Sequence, residues 1–278
     1  MLKRLLIAFL ALFLLTGAGG YGLHVYYKGR IFNPATEKPD VAAVPFPVEE
    51  VTIDTPDGLA LNAWWHAPEE GRRTVLYLHG NSKSIGNYTR GTAPLVAAGL
   101  GVLMPEYRGY GGNAGEMSDE GFLIDAEAAL DWLAARGIPS REVVVYGYSL
   151  GTGVAVPLAA KREVAAVILA APFASIAEMG YRDYPRWFVD LLLSDRFDSL
   201  AAIPDVSEPT LIFHGDSDTT VPVEQSALLA SHAGPNVRRL VFEGASHGWD
   251  LFEPRGNEAA LAFIDGLDEG AVLSGAAD

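Results

Sequence analysis

The sequence predicts an α/β fold built on a mostly parallel, eight-stranded sheet with helices on both faces. Three observations point there. Short, fully apolar runs recur along the chain, stretches of helical period separate them, and 278 residues suit one large core.

The elements follow in order. Val51–Asp54 and Leu61–Trp65 flank the turn Pro56-Asp57-Gly58 and read as an antiparallel hairpin. Six apolar runs come next: TVLYL (74–78), GVLMPEY (101–107), VVVYGY (143–148), VAAVILAA (164–171), TLIFHG (210–215) and RLVF (239–242). Helical patterns occupy 84–98, 119–136, 150–162, 223–233 and 256–267. Residues 173–205 are too long for a simple loop and rich in aromatics, so they read as a short helical cap lying over one edge of the sheet. The sheet domain thus spans 48–267, and the polar, small-residue stretch 268–278 reads as a disordered tail.

The N-terminal 30 residues differ from the rest. Lys3, Arg4, Lys28 and Arg30 bracket an uncharged run from Leu5 to Tyr27, whose apolar part is LLIAFLALFLLTGAGGYGL. As a helix these 23 residues reach about 35 Å, enough to cross a hydrocarbon core of about 30 Å, and Tyr21, Tyr26 and Tyr27 suit the lipid interface. The competing reading is a cleaved signal peptide, but Thr16 gives a poor small-x-small site for cleavage after Ala18. Residues 1–30 are therefore read as a membrane anchor, with a signal sequence as the alternative. The slight charge bias puts the domain on the non-cytoplasmic side, or leaves it secreted if the segment is cleaved. Residues 31–47, with four prolines between Asn33 and Phe46-Pro47, read as an extended linker.

Beyond residue 30 the chain carries 16 basic and 35 acidic residues, a net charge of −19. That surface repels phosphate backbones, so nucleic-acid binding is excluded. With no cysteine there is no disulfide, thiolate metal site or thiol nucleophile.

The strongest chemical signal is Gly147-Tyr148-Ser149-Leu150-Gly151, which ends one apolar strand and opens a small-residue helix. A serine on such a tight turn stands clear of the sheet, and the helix N-terminus offers the Leu150 N–H to a developing oxyanion. Gly244-Ala245-Ser246-His247-Gly248 matches the same pattern, but no histidine follows to serve Ser246 as base. Of the six histidines, His24 lies in the apolar run, His66, His79 and His214 sit at strand ends, and His232 closes a helix. His247 lies in the loop after the last strand, from which an imidazole can reach a serine at the strand ends. Its orienting acid comes from the preceding strand end: Asp216 is suited to binding its own loop backbone, and Asp218, farther along, is favoured. The order Ser149, Asp218, His247 is that of a serine triad on a doubly covered sheet. The loop after TVLYL places the Asn81 N–H as second oxyanion donor. His79 there reads as a structural residue, and the Asn81 side chain as weakly constrained. Gly109-x-Gly111-x-x-Ala114 resembles a dinucleotide fingerprint, but its loop context is wrong; Asp125, Glu127 and Asp131 read as a solvated helix face.

These residues resemble the α/β-hydrolase superfamily, and within it the membrane-tethered serine hydrolases akin to alpha/beta hydrolase domain-containing proteins 13 and 17. The resemblance covers about 48–267 and rests on LYLHGNS (76–82), PEYRGYGGNAGE (105–116), YGYSLGTGVA (146–155), APFAS (171–175), DRFDSL (195–200), LIFHGDSDTTVP (211–222) and EGASHGW (243–249). A departure is Asn113-Ala114-Gly115, where relatives carry Ser-x-Gly. The resemblance implies Ser149 as nucleophile, Asp218 as acid, His247 as base and Asn81 with Leu150 as oxyanion donors, with no metal or cofactor. The expected protein is a carboxylesterase- or lipase-like serine hydrolase acting on a small or lipid-like acyl ester or thioester. The alternatives are a serine peptidase of the same fold and a non-catalytic membrane-held scaffold.

Overall fold

The computed structural model describes Gly22 and residues 27–268. Most of the predicted anchor and nearly all of the predicted tail lie outside the described residues. Among the described residues no helix is long and apolar enough to cross a membrane.

The eight predicted strands form one sheet: β1 (Glu49–Asp54), β2 (Ala60–His66), β3 (Thr74–Leu78), β4 (Gly101–Pro105), β5 (Val143–Tyr148), β6 (Ala166–Ala170), β7 (Thr210–Gly215) and β8 (Val237–Phe242). Their spatial order is β1-β2-β4-β3-β5-β6-β7-β8. The hairpin β1–β2 pairs antiparallel, β2 joins β4 antiparallel, and every later pairing is parallel. From β3 the chain steps outward to β4, then returns past β3 to β5. The carboxyl ends of β3 and β5 thus flank a switch of direction, the place where open α/β sheets leave a crevice.

Both faces are covered along the inner strands, which is why β3 to β7 lack polar alternation. Leu76 and Leu78 of β3 pack with Phe122, Leu133, Val154 and Leu229 from α2 (Asp119–Ala134), α3 (Thr152–Lys161) and a later helix, Val223–His232. Val75 and Tyr77 point the other way, towards Leu95 of α1 (Thr89–Ala97) and Ala260 and Ile264 of the last helix, Asn257–Asp268. Between β6 and β7 the cap contributes α4 (Ile176–Gly180), α5 (Arg186–Leu192) and α6 (Ser199–Ala202). With these introduced, Val223–His232 is α7 and Asn257–Asp268 is α8.

Three expectations need correction. Residues 31–47 are no free linker: Ile31 and Phe32 are buried in the core, Phe32 stacks edge-on against Phe122 at 5.4 Å, and Asn33–Pro34 pairs with Ser82–Lys83. Ile31 closes a helical turn and Val41–Ala43 form a short 3₁₀ turn, while the rest of the segment is irregular or extended and docks through its adjacent apolar residues. The strand predicted over 101–107 stops at Pro105, because Glu106 turns inward to accept the Ile85 N–H at 3.0 Å. Asp125 is wholly buried, not solvated. It lies one turn from both Phe122 and Ala129 on the inner face of α2, where Arg108 meets it.

Arg108 binds three elements together. Its guanidinium pairs with Asp125 at 2.7 Å and with Asp57 of the β1–β2 turn at 2.7 Å, and its own N–H donates to Asp125 at 2.8 Å. Removing one partner of a buried pair strands the other charge, so Arg108→Ala is expected to cost about 3–5 kcal/mol in urea unfolding. A loss below about 1 kcal/mol would contradict this role for the pair.

Candidate active site

Ser149 begins the short turn that joins β5 to α3, with φ at 50°, in the left-handed region. A non-glycine residue there is strained by about 1–2 kcal/mol. The neighbouring glycines leave no alternative packing. A Cβ on Gly151 would stand 2.0 Å from the Leu78 carbonyl oxygen, and one on Gly147 would stand 2.6 Å from the Gly151 oxygen. β5 and the end of β3 are therefore pressed against the turn, which lifts Ser149 towards the crevice.

The structure brings the three predicted side chains together. Ser149 Oγ lies 2.9 Å from His247 Nε2, and His247 Nδ1 lies 2.6 Å from Asp218 Oδ2. Asp218 is buried, and its other oxygen accepts the Thr220 and Val221 N–H groups, each at 2.8 Å. Burial resists its charge. Hydrogen bonds from His214 and His247, attraction to the His247 ring and the Val221 N–H outweigh that and hold the carboxyl well below the usual carboxylate range. An ionised acceptor fixes the His247 proton on Nδ1 and leaves Nε2 free to accept from serine.

His214 is a member of the site that sequence reasoning missed. Its Nε2 lies 3.2 Å from Asp218 Oδ2 and 2.8 Å from the Val221 carbonyl oxygen. Both neighbours are acceptors, so this nitrogen carries the proton and donates to them. The signal was available: a buried strand-end histidine needs a partner, and Asp218 follows it by four residues.

Asp216 departs from expectation. Instead of binding its own loop backbone it accepts the Gly244 N–H at 2.7 Å, tying the acid loop to the loop that carries His247. Ser246 is occupied by Asp250, which accepts from its hydroxyl at 2.7 Å and its N–H at 2.6 Å. The Tyr148 hydroxyl donates to the His247 carbonyl oxygen, fixing that loop from the end of β5.

The loop after β3 passes directly beside Ser149, since a Cβ on Gly80 would stand 3.4 Å from that of Ser149. His79 is buried, its Nδ1 donating to the Gly80 carbonyl at 2.7 Å and its Nε2 facing Glu106 Oε1 at 3.1 Å. It stiffens this loop from beneath. The Asn81 side chain is held too, donating to the Ile31 carbonyl at 3.2 Å, while the Asn81 carbonyl accepts the Asn33 N–H at 3.2 Å. Leu150, the other expected donor, is buried at the start of the turn.

Two chambers meet at Ser149. One of about 510 Å³ lies under the cap and includes Asn81, Leu150, Phe173, Ile176, Met179 and Leu192 in its walls. The other, about 230 Å³, holds His247 and is walled by Tyr88, Tyr148, Trp249 and Phe252.

A strand-to-helix serine turn, a relay to a buried carboxylate and this strand order define a hydrolase of the doubly covered α/β type. A family model described as serine aminopeptidase (family S33) matches residues 69–200, a span that holds Ser149 but not Asp218 or His247. An uncharacterized protein of Mycobacterium tuberculosis is 35% identical over 219 residues, 78% of this chain and 78% of that protein. Alpha/beta hydrolase domain-containing protein 17B of Homo sapiens is 32% identical over 183 residues, 63% of this chain and 60% of that protein. An esterase of Pyrococcus furiosus has the same fold, with a TM-score of 0.69 at 24% identity, covering 84% of this chain and 98% of its own. A puromycin-hydrolyzing peptidase of Mycobacterium tuberculosis aligns with a TM-score of 0.65 at 20% identity, over 85% of this chain and 40% of its own. The chain belongs to the α/β-hydrolase superfamily, among proteins like the domain-containing members of that name.

Because folding lowers the Asp218 pKa, its carboxylate favours the folded state above its unfolded range of about 4, and that contribution is lost as pH falls below it. The stability gap between wild type and Asp218→Asn should therefore narrow from about pH 6 to about pH 3 in urea unfolding. A gap that stays constant over that window would contradict the assignment of this charge.

Proposed function

We propose that the protein is a serine hydrolase that cleaves an acyl ester or thioester through an acyl-Ser149 intermediate. The unbroken relay from Ser149 Oγ through His247 to Asp218, at the junction of two chambers, carries this reading. As Ser149 Oγ attacks the carbonyl carbon, its proton passes to His247 Nε2 and the carbonyl oxygen becomes an oxyanion held by the Asn81 and Leu150 N–H groups. Collapse expels the alcohol or thiol, which leaves with the proton from His247. Water then enters, gives a proton to His247 and attacks the acyl carbon, and the acid departs as Ser149 recovers its proton.

The position of His247 supports an assignment of the chambers. A leaving group must lie within hydrogen-bond reach of Nε2, so it occupies the aromatic chamber that contains His247. The acyl chain then extends into the larger chamber, lined by Phe173, Ile176, Met179 and Leu192. The apolar walls suit an aliphatic acyl group. Residues 5–27 would hold the enzyme at a membrane, with the domain on the non-cytoplasmic side. An amide substrate is the second reading, favoured by the serine aminopeptidase description of the family model and by the mycobacterial peptidase of the same fold.

A series of p-nitrophenyl esters of rising chain length tests this. Turnover should fall by about 10⁴-fold or more in Ser149→Ala and by about 10⁴-fold in Asp218→Ala. Met179→Trp should shift the preferred chain to shorter lengths. Turnover that survives in Ser149→Ala would overturn the mechanism. A chain-length profile unmoved by Met179→Trp would overturn the chamber assignment.

A further inference from the structure

The cap carries an uncovered apolar face. Among the described residues the exposed large hydrophobic side chains are Tyr184, Trp187, Leu191 and Val241, and the first three fall together on the cap. Trp187 and Leu191 lie four residues apart on α5 and share one face, at 69% and 74% exposure. The other side of α5 is already used: Val189 is buried, and a Cβ on Gly180 of α4 would meet Val189 Cγ1 at 3.2 Å. This helix therefore presents apolar groups both inward and outward, which a helix packed on one side only has no reason to do.

The chain enters the domain beside that face. Tyr27 is the last residue of the uncharged run that begins at Leu5, and its ring meets Tyr184 edge-on at 6.4 Å. The segment that follows is fixed to the body of the protein. Lys28 pairs with Glu116 at 2.8 Å and donates to the Met117 carbonyl at 3.0 Å, and Ile31 accepts from Asn81. Tyr27, Arg30, Ile31 and Tyr184 also line the acyl chamber. The end of the uncharged run, the exposed face of the cap and one wall of the larger chamber thus lie together on the molecule.

We propose that this side is a membrane-docking surface. Trp187, Leu191 and Tyr184 insert into the interfacial layer of the same bilayer that holds residues 5–27, so the acyl chamber opens against lipid and receives acyl chains of bilayer-resident esters. The substrate clause rests on the hydrolase reading above; the docking clause does not. Trp and Tyr carry an apolar body with a polar edge, which suits the headgroup boundary, and Leu191 adds apolar area beside them. A 23-residue uncharged run ending in contact with Tyr184 leaves the cap little room to stand off from a membrane that the run enters.

The test uses the full chain in phosphatidylcholine vesicles whose acyl chains carry bromine, a contact quencher of tryptophan. Trp187 is exposed, and the other four tryptophans are buried or half-buried. Wild-type emission should be quenched, and Trp187→Phe should lose most of that quenching. In the same vesicles, Trp187→Asp/Leu191→Asp should lower turnover of an embedded long-chain ester by about tenfold while turnover of a water-dissolved short-chain ester is unchanged. The unchanged short-chain rate shows that the variant folds. Equal quenching of wild type and Trp187→Phe overturns the proposal, as does a double variant that hydrolyses the embedded ester at the wild-type rate. If a second copy of the chain covers the face instead, equal quenching accompanies a dimer that Leu191→Asp dissociates. Should wild type hydrolyse neither ester, the hydrolase reading fails while the quenching difference still decides the docking surface.

Discussion

The structure depends on one crowded turn. Ser149 is held in the left-handed region between two glycines whose missing side chains let β3, β5 and α3 close to van der Waals contact. Neither glycine can be replaced without moving backbone, because the nearest atoms are carbonyl groups rather than side-chain ends. That packing turns an ordinary strand-to-helix connection into a site: it aims Oγ at the crevice and brings the loop after β3 alongside. Everything else arranges itself around a hydroxyl whose position is already fixed.

The second requirement is a charge that stays put. Asp218 is buried within an otherwise exposed loop, where an unpaired carboxylate would be costly, yet two backbone N–H groups and two imidazoles favour its ionised form. The histidine behind it, His214, is thus part of the same electrostatic unit as the one in front. Asp216 and Tyr148 then fix the His247 loop at two points. The relay is rigid because each member is held by something other than the relay itself.

What could be read from the sequence follows from how local each signal is. The inner strands were legible because burial on both faces removes polar alternation, and the meeting of Ser149, Asp218 and His247 because all three lie just past the carboxyl ends of their strands. Asp125 was misread because charge on a helix usually means solvent, and its partner Arg108 lies 17 residues away in a loop. The docked segment 31–47 was misread for a related reason. Its prolines report local backbone geometry, whereas the burial of Ile31 and Phe32 depends on Phe122 and Phe197 from distant elements. His214 was passed over because a strand-end histidine has several ordinary uses, and only the fold of the loop that follows brings Asp218 back to it.

In the proposed mechanism Ser149, and no other hydroxyl, is the nucleophile. The chain offers a built-in control, since Ser246 lies in a matching glycine pattern and is adjacent to His247. The most direct measurement is to react the protein with a fluorophosphonate and locate the adduct by peptide mass spectrometry. A single adduct on Ser149, absent when His247 is replaced by Ala, is the predicted result. An adduct on Ser246, or none on a folded protein, would contradict it.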